Sequence, residues 1–256
     1  MITLASDFGT PYPAAMKEVL LSRSDARLVD IGHEFPRQNV TATAFWLTQV
    51  LPEFPPAVHL VVVDPGVGTD RAALAVRAGE HVLVGPDNGV LCPPARALAA
   101  SSDADTDIET YEIAVDDPRS STFHGRDVFA PAAAAVHEIG LDRLSSLETL
   151  SPVNDFVDLE FPSPEIGDTE ATGEVLVVDD FGNAITNVPG EVLEGRESVR
   201  INGEKRPVVP SYAHAVEGTP IVTIGSHGNV ECAVNRGRGD EAFGLAVGDV
   251  VRIRPL

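Results

Sequence analysis

Ala57-Val58-His59-Leu60-Val61-Val62-Val63, followed at once by Asp64-Pro65-Gly66-Val67-Gly68, decides how this chain is read. The apolar run is too uniform for a strand with one wet face, so both of its faces must be covered. A strand buried on both faces belongs to a parallel sheet between helices. The Gly/Pro loop that ends it is where an open α/β sheet carries polar, ligand-facing groups, beyond the carboxyl ends of its strands. Working outward, residues 2–5 form a similar short run that stops at Asp7-Phe8-Gly9, and residues 14–21 follow with helical spacing. Residues 27–31 read as a strand and 40–51 as a helix halted by Pro52. Strands at 73–77 and 81–84 lead to Pro86-Asp87-Asn88-Gly89 and a helix at 93–100. Residues 103–107 read as an acidic, solvated turn. Phe123-His124-Gly125-Arg126-Asp127 enters an Ala-rich helix at 128–139 that ends at Gly140, a common helix-stop residue.

Between residues 151 and 168 lie Pro152, Pro162 and Pro164 among several acids, without a sustained period. Beyond them the texture changes to short runs at 173–178, 184–188, 198–201, 220–224, 229–234 and 249–253, separated by Gly, Asn and Pro. The expected architecture is an α/β N-terminal domain, residues 1–155, with a mostly parallel sheet between helices. A linker at 156–168 leads to a small all-β, barrel-like C-terminal domain at 169–256.

Charge narrows the function. The 256 residues carry 39 Asp and Glu against 18 Lys and Arg, a formal net charge of −21. Such a chain is repelled by nucleic acid and by anionic membranes. Lys17 and Lys205 are its lysines, and acid excess with scarce lysine resembles proteins of a high-salt cytoplasm, where carboxylates keep the surface hydrated. Cys92 and Cys232 are distant and lack a C-x-x-C companion, so free thiols in a reducing cytosol are expected. No basic leader and no apolar run of about 18 residues is present, which points to a soluble cytoplasmic protein.

Taken singly, the polar motifs are ambiguous: Asp7 could be a turn or cap residue, Asp64 with Arg71 a loop brace, His124 a helix-entry histidine. The seven histidines show no metal-ligand spacing, and neither a phosphate loop nor a dinucleotide fingerprint occurs. Together, Ser6-Asp7-Phe8-Gly9, Asp64-Pro65-Gly66-Val67-Gly68 with Arg71, Pro86-Asp87-Asn88-Gly89, Phe123 to Pro131 and Asp179-Asp180-Phe181-Gly182-Asn183-Ala184-Ile185-Thr186-Asn187 stand in the order of one family. The chain resembles the S-adenosyl-L-methionine hydroxide adenosyltransferases, relatives of fluorinating and chlorinating enzymes that use the same substrate.

The resemblance implies a homotrimer with sites between one subunit's N-domain and its neighbour's C-domain. It implies a reaction in which water displaces methionine from the ribose 5′ carbon, giving adenosine and L-methionine, with no cofactor and no metal. Asp64, Arg71 and His124 match the set that handles the water. Asp7 matches the acid on the ribose hydroxyls, and Phe8 and Phe123 flank these positions as substrate contacts. Phe181 and Asn183 match the residues that meet adenosine, and Asp179 and Ser226 fall where the amino-acid end is gripped. The halide-using relatives have Tyr followed by Ser or Gly where this chain has His124-Gly125, and lack the Asp and Arg pair, which sides this chain with water. Two departures bear on the methionine end: Thr10-Pro11-Tyr12-Pro13 lacks the family's acid, and His227 stands where the fluorinating relatives have Arg. The division of labour between Arg71 and His124 stays open. The alternatives are a non-catalytic adenosine or S-adenosylmethionine binding module, a halide adenosyltransferase, and a metal-dependent hydrolase using the acidic loops.

Overall fold

The computed structural model describes residues 1–102, 107–115 and 119–256. Most of the acidic turn expected at 103–107 lies outside the described residues. The chain forms two compact units, Met1–Glu160 and Phe161–Leu256.

The first unit runs β1 (Ile2–Ser6), α1 (Tyr12–Arg23), β2 (Leu28–Gly32), α2 (Val40–Val50), β3 (Val58–Val62), β4 (Ala73–Ala78), β5 (His81–Pro86), α3 (Cys92–Ser101), β6 (Ile108–Ile113), α4 (Ala130–Ile139) and β7 (Leu150–Pro152). Its sheet has the order β2-β1-β3-β5-β4-β6-β7. β2, β1, β3 and β5 are parallel, and β4, β6 and β7 continue the sheet with antiparallel pairings. Every residue of β1 and β3 is buried, as their unbroken apolar sequence requires. Ile2, Leu4, Val58, Leu60 and Val62 pack with Met16 and Leu20 of α1 and Ala133 and Ala134 of α4. The alternating residues point to the other side of the sheet. There α2 and α3 pack on each other, and α3 on β4. Asn39 caps α2 by accepting from the Ala42 amide at 2.9 Å. α4 is preceded by one π-helical turn, Gly125–Phe129, and stops at Gly140, whose φ of 93° suits glycine. β1, β3 and β5 end side by side, which brings the loops after Ser6, Val62 and Pro86 to one edge.

The second unit contains β8 (Glu165–Ile166), β9 (Ala171–Val178), β10 (Ala184–Pro189), β11 (Ser198–Ile201), β12 (Glu204–Pro207), β13 (Pro220–Ile224), β14 (Asn229–Val234), α5 (Gly239–Phe243) and β15 (Val250–Pro255). The strands pair in the order β12-β11-β15-β9-β10-β14-β13, all antiparallel, with β8 added to β9. A bridge between Val208 and Val222 nearly closes the sheet into a barrel. Val175, Ala184, Val188, Val199, Val222, Val230, Val251 and Ile253 fill its interior.

The stretch expected as a linker is shared between the units. The Val157 amide donates to the Asp87 carboxylate at 2.8 Å, and Arg96 pairs with Asp158 at 2.7 Å, all within the first unit. β8 pairs with β9 in the second.

Candidate functional site

The loop after β3 builds the first part of the site. Asp64 is nearly buried, its side chain 7% exposed. One carboxylate oxygen, Oδ1, accepts from the Gly66 amide at 3.0 Å and from the Arg71 guanidinium. The loop can fold back this tightly because Gly66 carries no side chain: the Arg71 guanidinium occupies the space a Cβ there would fill. Gly68, at φ 83°, takes a conformation that side chains rarely adopt.

The loop after β1 supplies Asp7 and Phe8, held from the loop after β2. The Gly9 amide donates to His33 O at 2.9 Å, and Ser6 Oγ bonds His33 Nδ1 at 2.7 Å. Asp7 Oδ2 accepts from the Gln38 amide at 2.6 Å. Phe8, Tyr12 and Phe123 meet edge to face, with ring centroids 5.3 to 6.1 Å apart.

The third part is the π-helical entry to α4. The Arg126 and Asp127 amides both donate to Phe123 O at 3.2 Å. Arg126 grips Asp127 at 2.6 and 2.8 Å and lies over the Phe123 ring at 5.2 Å. That ion pair holds the Asp127 carboxyl below its usual range. Gly125 is packed so closely that an added Cβ would lie 3.0 Å from Met16 Sδ, which seats His124 against α1 and β3.

These three segments enclose a cavity of about 500 Å³, walled by Asp7, Phe8, Asp64, Phe123 and His124, with Tyr12, Val62, Val67, Ser120, Thr122, Gly125, Arg126 and Phe129. Five residues singled out from the sequence therefore share one cavity. Arg71 is not a wall residue, but its guanidinium is paired with Asp64, which is one. Tyr12, Val67 and Arg126 were not anticipated. Tyr12 is the first residue of α1 and Arg126 lies in the π-helical turn two residues after His124, so closeness in sequence to the Asp7-Phe8 and His124 motifs was the available signal.

The second unit gathers another polar set at the β9–β10 turn. Asp179 Oδ1 accepts from the Phe181 and Asn183 amides at 2.9 and 2.8 Å, and its Oδ2 accepts from Asn183 Nδ2 at 2.9 Å. Asn183 Nδ2 also donates to Tyr212 Oη at 3.4 Å, and the Tyr212 hydroxyl donates to Glu231 at 2.6 Å. Burial, and then the Glu231 carboxylate, push the Tyr212 phenol upward, so it stays a donor. His227 Nδ1 accepts from the Asn229 amide, which leaves Nε2–H to donate to Glu231 at 3.3 Å. Phe181 is 79% exposed, and Ser226 is also exposed. Asp179 and Asn183 are thus brought together; Ser226 immediately precedes His227 of this network and makes none of its hydrogen bonds. Tyr212 and Glu231 were not foreseen.

Fold and site define a class: a two-unit protein whose α/β unit sets an Asp–Arg pair and a histidine around an aromatic-walled cavity, joined to an antiparallel barrel. Residues 2–145 match the SAM hydroxide adenosyltransferase N-terminal domain and residues 173–252 the C-terminal domain of the same family. The chain belongs to the S-adenosyl-L-methionine hydroxide adenosyltransferase family. It is 40% identical to the (R)-S-adenosyl-L-methionine hydrolase of Thermus thermophilus, over 97% of each chain. It is 36% identical to the enzyme of that name from Salinispora tropica, over 98% of this chain and 97% of the relative. Among solved structures it is similar to an uncharacterized conserved protein from Thermotoga maritima, with a TM-score of 0.82 and 32% identity over 99% of this chain and 100% of that one.

Proposed function

We propose that this chain hydrolyses S-adenosyl-L-methionine, with water attacking the ribose 5′ carbon and methionine leaving. One observation carries the reading: Asp64, bound to Arg71, and His124 wall the same cavity as Asp7. The substrate is a sulfonium with a neutral thioether leaving group, so the nucleophile is the difficulty. Water is weak and must attack in line. Holding both reactants in that geometry can supply about 7–11 kcal/mol of the barrier. Asp64 orients Arg71 and offsets its charge, Arg71 stabilises the incipient hydroxide by charge-assisted hydrogen bonding, and His124 accepts the water's proton. The new C–O bond forms as the C–S bond breaks, and the pair of electrons leaves with sulfur as methionine. The leaving group needs no Lewis acid and the reaction no cofactor. Asp7 holds the ribose hydroxyls, with Phe8 and Phe123 beside it.

Asp179, Phe181, Asn183 and Ser226 contact the nucleoside and amino-acid ends in a homotrimer, where one subunit's second unit completes a neighbour's cavity. The exposure of Phe181 beside the Asp179–Asn183 cluster supports that reading. The enzyme works in a cytoplasm of high salt, a reading supported by the acidic composition.

The test is product analysis in 18O-labelled water. The expected products are methionine and adenosine carrying one labelled oxygen at the 5′ position. His124→Ala lowers kcat by about 100-fold or more. A 5′-halogenated product, or substrate retained without any adenosine release, would overturn the proposal, and so would unchanged turnover in His124→Ala. Turnover is expected to be indifferent to a chelator.

A further inference from the structure

Pro86-Asp87-Asn88-Gly89 ends β5 beside the Asp64–Arg71 loop and holds that loop at both of its ends. Asn88 Nδ2 donates to Val63 O at 2.8 Å, on the residue immediately before Asp64. The Asp87 amide donates to Ala72 O at 3.0 Å, on the residue immediately after Arg71. The Asn88 amide has a single workable orientation, because its Oδ1 accepts from the Val90 amide at 3.1 Å while its Nδ2 faces a carbonyl. The turn has a firm seat of its own. Asp87 Oδ1 accepts from the Val157 amide at 2.8 Å, and a Cβ at Gly89 would lie 2.6 Å from Leu159 Cβ. On the opposite side β5 presses on β3, where a Cβ at Gly85 would lie 2.4 Å from Val61 O.

We propose that Asn88 is a positioning residue for the Asp64–Arg71 pair. It fixes the backbone from which Asp64 departs, and the neighbouring Asp87 amide fixes the backbone at which Arg71 returns. The inference rests on the reading that this pair handles the water. Asn88 is not a wall of the cavity, so its loss acts through the pair and not through substrate contact. Displacements of about 1 Å away from the chemistry can cost on the order of 100-fold in rate.

The experiment compares wild type, Asn88→Ala, Asn88→Asp and, as a matched loss of stability, Leu98→Val in the core of α3. Asn88→Ala should lower kcat about 10- to 100-fold with KM within about twofold, the pattern of an interaction used only in the transition state. Asn88→Asp, which sets a carboxylate against Val63 O, should fall at least as far. Leu98→Val should lose melting temperature and keep kcat. The Arg71 side-chain N–H resonance should move in both Asn88 variants and stay in place in Leu98→Val. Wild-type kcat or an unmoved Arg71 resonance in a folded Asn88 variant overturns the proposal, as does an equal loss of kcat in Leu98→Val. Absence of adenosine release from wild type would instead sink the hydrolytic reading, and the resonance would still decide whether Asn88 sets the pair. If Asn88→Ala does not fold, Asn88→Asp carries the same comparison.

Discussion

The Arg71 guanidinium rests on Gly66: a Cβ built there would lie 2.0 Å from Arg71 Nη2 and 2.5 Å from Cζ. Gly66 is not in the positive-φ region, so its value is space and not backbone freedom. Gly66→Ala should therefore leave the fold intact and displace the guanidinium from Asp64, lowering kcat roughly 10- to 100-fold with little change in melting temperature. Steady-state kinetics with a thermal melt decide it, and a wild-type kcat would show that the observed pair is not the one the reaction uses. The pairing of Asp64 with Arg71 was legible in the sequence because the two lie seven positions apart across a Gly/Pro loop. The seat on Gly66 was not, since a sequence does not say where a guanidinium folds back. Nor was the Asn183–Tyr212–Glu231 chain, whose partners lie 29 and 19 positions apart and meet through barrel pairing.

At the scale of elements, β1, β3 and β5 were legible because uniform apolarity has one physical meaning, burial on both faces. β6 and β7 were not. Ile108-Glu109-Thr110-Tyr111-Glu112-Ile113 carries two carboxylates on a half-exposed strand, and β7 is three residues long with a proline. The central strands also carry buried polar groups. His59 on β3 is fully buried, bonded to Thr3 Oγ1 of β1 at 2.8 Å and to His81 of β5 at 2.9 Å, with the two imidazoles stacked. Burial, and then the charge of His81, push His59 down to about 3, and burial lowers His81 as well. Above the ordinary histidine range His59 is neutral folded or unfolded, so it makes no difference there. From about 6.5 down to about 3 the unfolded chain binds a proton that the folded chain refuses, so stability falls with falling pH by up to about 1.4 kcal/mol per pH unit. Urea midpoints across that window should decline with acidity in wild type and decline less in His59→Gln. Equal slopes would remove His59 as the cause.

For the whole molecule the dominant electrostatic fact is the charge of −21. Repulsion among so many carboxylates favours expanded states, and salt weakens it as the screening length falls from about 10 Å at 0.1 M to about 3 Å at 1 M. The melting temperature should rise by several degrees between these concentrations. Screening predicts the same rise in KCl and NaCl, levelling near 1 M, whereas surface exclusion of salt would keep rising and rank with the anion. This term opposes the histidine term on acidification. At low salt, protonating surface carboxylates relieves repulsion and masks the proton uptake favoured by unfolding; at 1 M salt the relief is already spent. The decline of stability between about pH 5 and 4, where ordinary carboxylates take up protons, should therefore be steeper in 1 M KCl than in 0.05 M, measured by urea unfolding at each salt. A slope independent of salt would mean that surface repulsion contributes little to the stability of either unit, and the acidic surface would then have to be explained by hydration alone.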